Sequence, residues 1–237
     1  MSLEVKRPAE ATPWKVGNGY SYFGPDREKP EGYVVHRFWP IFKAEGHFII
    51  DGKAEAVNAN GMFVHAIQGM RPNLIASAWN FSHFNIKELG GVCAIQMEYT
   101  TCDTHGKRGA GSGPVRVNVG SLVINNKLAT VTAATTWPGE KNESSVISKT
   151  THLNTLDDPA TGYKKPRNLF LEWKGPSLAK DAPGTVEGST TVDLGDLENP
   201  KGLIEVIDIL AEIPYVLKAA VSYVAGTKPF MYQVCPP

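Results

Sequence analysis

Gly61–Phe84, GMFVHAIQGMRPNLIASAWNFSHF, decides the fold. It reads as parts of two β-strands, Ala54–Gln68 and Leu74–Asn85, carrying His65, Gln68, Asn80 and His83 among apolar residues. A strand that only built a core would place plain aliphatics on its inner face. Buried polar groups cost free energy unless partnered, so this pattern points to partners supplied by the fold or by a ligand. Period-two alternation puts Met62, Val64, Ala66 and Gln68 on one face and Phe63, His65 and Ile67 on the other. His65 and Gln68 therefore cannot both face the interior of a regular strand. By the same rule Trp79 and Phe81 share a face, with Asn80 opposite.

Outward from this stretch the chain reads as strands punctuated by turns. Upstream lie Tyr33–Trp39 and Phe42–Ile50. Downstream follow Val92–Thr101, Val115–Ile124, Leu128–Thr136, Ser145–Leu153, Asn168–Trp173 and Gly184–Val192. Asp51-Gly52 and Asn125-Asn126 are two-residue hairpin signals, because Asp, Asn and Gly tolerate positive φ at low cost. Regular strands, short hairpins and few helices predict an all-β fold, a lipocalin-like antiparallel β-barrel over residues 33–237. Such a barrel of about eight strands is just wide enough for one small ligand. The longer connections Asp103–Pro114 and Pro138–Glu143 are candidates for a rim around its open end. Residues 1–32, rich in Pro, Gly, Lys and Glu, predict an irregular N-terminal arm. Pro214 and Gly226 bracket one C-terminal α-helix, Tyr215–Ala225, apolar on nearly all faces and so expected to be buried against the barrel. Phe230–Val234 returns as a final strand.

Composition narrows the classes. The 237 residues carry 24 Lys+Arg against 24 Asp+Glu, a formal charge of zero, which leaves no whole-chain footprint for nucleic acid. Cys93, Cys102 and Cys235 form no disulfide framework and no CxxC pair. The N-terminus shows no apolar signal-peptide core, so the reading is a reducing, cytoplasmic compartment. The six histidines have no HxH or HExxH spacing, and no Walker A, GxGxxG or GxSxG motif is present. No metal site and no cofactor is expected.

The ordered set Phe38-Trp39-Pro40, Gly61–Met70, Trp79-Asn80-Phe81, Met97–Thr101, Val117–Gly120 and Ala225–Pro229 resembles the fungal survival-factor family, from about Gly32 to Gln233. The resemblance implies a lipocalin-like, intracellular fungal protein tied to survival under oxidative stress. Usual members carry two lipocalin-like halves and this chain matches only the second, which implies a missing N-terminal half and leaves peripheral membrane contact open. Two functions are implied. One is binding or transfer of a hydrophobic lipid, with a sphingolipid such as ceramide as cargo. The alternative is a cofactor-independent pericyclase, a Diels–Alderase-like catalyst of a fungal terpenoid or polyketide pathway. Both need an apolar concave site with a few placed polar groups.

The candidate ligand-binding residues are His65, Gln68, Trp79, Asn80, Phe81, Glu98 and Arg116. Each has a structural reading beside the functional one. The polar residues can satisfy one another or nearby backbone, and Trp79 and Phe81 can fill a core rather than line a cavity. Glu98 shares a face with Gln96, where it is either an inward-facing carboxyl or an ordinary solvated charge. Arg116 alternates with Val115 and Val117, on a face that is either solvent or a polar lumen.

Overall fold

The computed structural model describes residues 1–23, 28–30, 32–69, 77–86, 91–101, 114–137, 140–141, 145–196, 199–208, 210–225 and 230–235. The expected rim at Asp103–Pro114, all but Pro114, and most of that at Pro138–Glu143 lie outside them. The strands are β1 (Ser2–Lys6), β2 (Trp14–Phe23), β3 (Gly32–Ile50), β4 (Lys53–Gly69), β5 (Ala78–Ile86), β6 (Val92–Thr100), β7 (Arg116–Ile124) and β8 (Lys127–Thr136). They continue as β9 (Ile147–Leu153), β10 (Leu156–Asp157), β11 (Lys164–Lys165), β12 (Asn168–Pro176), β13 (Thr185–Asp193) and β14 (Leu203–Asp208). Helix α1 (Tyr215–Ala225) and β15 (Phe230–Cys235) complete the chain. The described residues are all-β with one C-terminal helix, as expected.

The strands form layers. In the first sheet β3 is the spine, paired with β1 and β2 along one side and β4 along the other. The central sheet runs β5-β6-β7-β8, and the third β13-β12-β9. All pairings are antiparallel. Both predicted hairpin turns form, with Asp51, Gly52, Asn125 and Asn126 at φ 50°, 77°, 50° and 60°. That left-handed geometry at both central residues matches the twist of the flanking strands, hence Asp-Gly and Asn-Asn there.

Alternation gives the central sheet two buried faces. Ile95, Met97 and Tyr99 of β6, with Val117 and Val119 of β7, pack on Trp14, Val34 and Phe38 of the first sheet. Ala94 and Leu122, one residue out of phase, pack on Leu171 and Trp173 of the third. Sheets buried on both sides lose the polar-out pattern, which is why β7 reads as the near-continuous run VNVGSLVI.

Two expectations need correction. The segment 1–32 is not an irregular arm, for β1 and β2 both join the first sheet. The Gly17-Asn18-Gly19 signal is a bulge within β2: the register shifts between Lys15 and Tyr20, and Gly17 and Gly19 take φ 53° and 95°. Extra residues in one strand use the same glycine freedom a turn would, so composition alone does not separate the two. Helix α1 forms over the expected residues, but its first turn is not buried: Tyr215, Val216 and Leu217 are 82%, 77% and 58% exposed. Lys218 explains this, since its ammonium pairs with Asp208 and lies 5.7 Å from the Phe230 ring centroid. The helix is thus tied to the β14–β15 pair through Lys218, with Tyr215, Val216 and Leu217 left exposed.

Candidate functional site

Between the central and third sheets the polar groups mostly hold one another. Asn118 Nδ2 donates to Glu98 Oε2 and to the Ser148 carbonyl, both at 2.6 Å. Thr150 Oγ1 donates to Gln96 Oε1 at 2.7 Å, and Trp173 Nε1 to the Ile95 carbonyl at 2.8 Å. His152 Nε2 lies 3.0 Å from Asn80 Oδ1. Burial lowers the His152 pKa, and the Glu98 carboxylate only partly opposes that. Gln96 Nε2 and Thr132 Oγ1 are left over on either side of Gly120, in one register row. A Cβ on Gly120 would fall 2.8 Å from both Ser148 Oγ and Thr132 Oγ1, so this row is tightly packed.

The interior between the first and central sheets differs. Its walls are apolar and aromatic: Trp14 stacks on Phe38 at 4.4 Å between centroids, and the His36 ring lies 6.0 Å from that of Phe38. Within that stack Trp14 Nε1 and His36 Nδ1 are buried without a hydrogen-bond partner among the described residues. Burial lowers the His36 pKa to about 4, so its imidazole is neutral at pH 7. An unpartnered buried donor or acceptor costs roughly 1–3 kcal/mol, and two around one ring mark a place where a polar group of a ligand would be favoured.

The two sheets that bound this interior each end in an edge strand. Strands β4 and β5, consecutive in the chain, are each the last strand of their sheet among the described residues. Gln68 pairs with buried Val34 and so belongs to the inward set of β4. Trp79 and Phe81 pair with Tyr99 and Met97 and so belong to the inward set of β5. The Trp79 ring lies 6.2 Å from that of Tyr99, yet Trp79 and Phe81 remain 48% and 46% exposed. Aromatic residues that face inward and still meet solvent are what an unpaired edge produces. Burial alone raises the Cys93 thiol to about 12, so it serves as an unreactive core residue at the far end.

The remaining predicted residues fall elsewhere. His65 and Gln68 split between faces as alternation requires, with His65 outward beside Arg37. His65 lines an outer cleft of about 380 Å³ together with Pro13, Trp14, Lys15, Arg37, Phe38, Trp39 and Phe63. Asn80 and Glu98 belong to the hydrogen-bonded layer against the third sheet, so the polar residues first taken together divide among three places. Arg116 sits exposed at the start of β7, opposite Thr100 and Thr136. His36 and Trp14 were missed. His36 could have been found from Val34-Val-His-Arg-Phe38, where alternation sets it on the same face as Val34 and Phe38.

The fold defines an all-β protein of lipocalin-like type, with an apolar interior between its first and central sheets. The chain belongs to the Svf1 family, whose match spans residues 1–237. It is 34% identical to the ceramide-binding protein svf1 of Schizosaccharomyces pombe, over 99% of this chain and 54% of that protein. It is 32% identical to the ceramide-binding protein svf-1 of Neurospora crassa, over 100% of this chain and 53% of the relative. For the protein of the same name in Aspergillus fumigatus the identity is 31%, over 92% and 47%. The chain thus spans about half the length of these relatives. A solved AttH structure from Nitrosomonas europaea is similar with a TM-score of 0.43 at 12% identity, covering 81% of this chain and 61% of its own.

Proposed function

We infer that this chain binds a ceramide-type lipid between its first and central sheets, as a carrier acting in the cytoplasm and supporting survival under oxidative stress. The observation that carries the reading is the pair Trp14 Nε1 and His36 Nδ1, buried and unpartnered in an apolar interior with open edges. The curated relatives bear the name ceramide-binding protein. A ceramide head offers one amide and hydroxyls. An indole N–H can only donate and so suits the amide carbonyl, while a neutral imidazole can donate to or accept from a hydroxyl. The acyl and sphingoid chains would meet Trp79, Phe81 and the side chains behind them. Core side chains fill the interior, so loading requires the β4 and β5 edges to part. A pericyclase would need the same opening, and the name the relatives bear supports the lipid reading over that alternative.

The test is titration of the purified chain with ceramide, using a diacylglycerol of equal chain length as comparison and native mass spectrometry as readout. The expected result is a one-to-one ceramide adduct preferred over the diacylglycerol, with affinity falling about threefold to tenfold in His36→Phe and in Trp14→Phe. Equal binding of both lipids, or variants that bind like the parent, would overturn the assignment.

A further inference from the structure

The outer face of the first sheet carries a feature that an uncharged lipid leaves unexplained. Lys15 of β2 lies directly opposite Arg37 of β3, and Arg37 directly opposite His65 of β4. Two cations and an imidazole therefore stand in one cross-strand row. Like charges directly opposite on one face destabilise a sheet, and neighbouring acids normally offset them. Here none does. The lining of the cleft contains no Asp or Glu, and no ion pair among the described residues uses Lys15, Arg37 or His65.

The surroundings are equally specific. The row is flanked by Trp39 and Phe63, 5.5 Å apart between ring centroids and both exposed. The cleft lies where β2 leaves the ladder, since the register breaks between Lys15 and Tyr20. The cationic side chains stay together there: a Cβ on Gly19 would meet Lys15 Cδ at 3.4 Å and Arg37 Nε at 3.5 Å. Glycine at this position leaves room for both.

We propose that this cleft is an oxyanion site, taking a phosphate group on Lys15 and Arg37 with an attached apolar body against Trp39 and Phe63. Guanidinium and ammonium groups form charge-assisted bonds to phosphate oxygens, and a fork of Arg donors suits a tetrahedral oxyanion. At about 380 Å³ the cleft has room for a headgroup but not for two long chains. Ceramide carries no charge, so the inference stands apart from the ceramide reading.

The test uses calorimetric titration of the whole chain with three probes: inorganic phosphate, dihexanoyl phosphatidic acid below its micelle concentration, and dihexanoyl glycerol. The phosphatidic acid is expected to bind and the uncharged glycerolipid not to. Tighter binding of the phosphatidic acid than of inorganic phosphate assigns the site to a lipid headgroup, and equal binding assigns it to a free oxyanion. In either case Arg37→Gln should weaken binding about tenfold while Lys180→Gln changes nothing. Lys15→Glu places a carboxylate opposite Arg37 and should melt no lower than the parent while losing phosphate binding. Glycerolipid bound as well as phosphatidic acid, no phosphate binding at all, or Arg37→Gln without effect would each overturn the proposal. A Lys15→Glu protein that melts lower than the parent removes its electrostatic premise.

Discussion

The two faces of the central sheet belong to the same four strands and are finished in different ways. Against the third sheet, Asn118, Glu98, Ser148, Thr150 and Trp173 spend their polar groups on one another, on Gln96 Oε1 and on backbone carbonyls, leaving Gln96 Nε2 and Thr132 Oγ1 over beside the tightly packed Gly120. Against the first sheet, the contacts are apolar, two buried nitrogens stay unpartnered, and the β5 edge carries half-exposed aromatics. A buried polar network that is satisfied fixes one arrangement and stiffens it, while one left unsatisfied costs stability. The proposed lipid site rests on this difference: one face holds the sheet in shape, and the other leaves two buried nitrogens that a ligand's polar head would satisfy.

The largest effect is expected on the scaffold face. Trp173→Ala removes a buried ring packed on Leu171, Ala94 and Leu122 and leaves the Ile95 carbonyl without its donor. It should cost about 3–5 kcal/mol in denaturant unfolding. A loss under about 1 kcal/mol would show that this face is as loosely packed as the other and would remove the contrast.

The next effect belongs to the opposite face and is read through pH. His36 has a pKa near 6.5 when unfolded and about 4 when buried, so protonation favours the unfolded chain. Its stability is therefore fully present above pH 6.5 and declines as pH falls from there toward 4. The decline over that window should be about 3 kcal/mol. Burial also lowers His83 and His152, so the parent's total slope includes their shares. His36→Phe should flatten the unfolding profile by the His36 share alone. An unchanged slope would mean that the imidazole is solvated or partnered.

Asn118 tests the network more gently. Asn118→Ala removes both of its bonds and leaves the Ser148 carbonyl and the Glu98 carboxylate to find other donors. About 2 kcal/mol is expected, smaller than for Trp173 because Glu98 is only partly buried and water can reach it. If the loss matched that of Trp173→Ala, the layer would depend on its hydrogen bonds more than on its ring packing.

Much of this arrangement was legible in sequence, and the failures have physical causes. Turn chemistry gave both hairpins, because a left-handed pair of residues admits few side chains. Alternation split His65 from Gln68 and paired Trp79 with Phe81. It could not say which sheet each face meets, since register fixes sides within a strand and partners come from tertiary packing. Asn80 and Glu98 therefore read as ligand contacts although they face the third sheet, and Trp14 went unseen inside a segment read as irregular. The oppositely placed Lys15 and Arg37 were invisible for the same reason: 22 positions apart in sequence, they meet only through a ladder that resumes after a bulge.

The smallest expected change in stability is the sharpest test of the comparison. Trp79 faces inward from β5 but is 48% exposed, so half of its surface already meets water in the folded protein. Trp79→Ala should therefore cost only about 1 kcal/mol, well below the cost at buried Trp173. Ceramide affinity should respond differently. If the lipid chains lie along the open edge, the ring covers them when bound, and its removal should weaken binding about tenfold, as truncation of an aromatic anchor does. Measured on one preparation, unfolding and ceramide titration would then rank the two tryptophans in opposite orders. Trp173 would be the costlier loss for stability, and Trp79 the costlier for ceramide binding in chains still folded. If Trp79→Ala lowers stability as much as Trp173→Ala, the β5 edge is part of the scaffold. If it lowers neither quantity, lipid enters elsewhere.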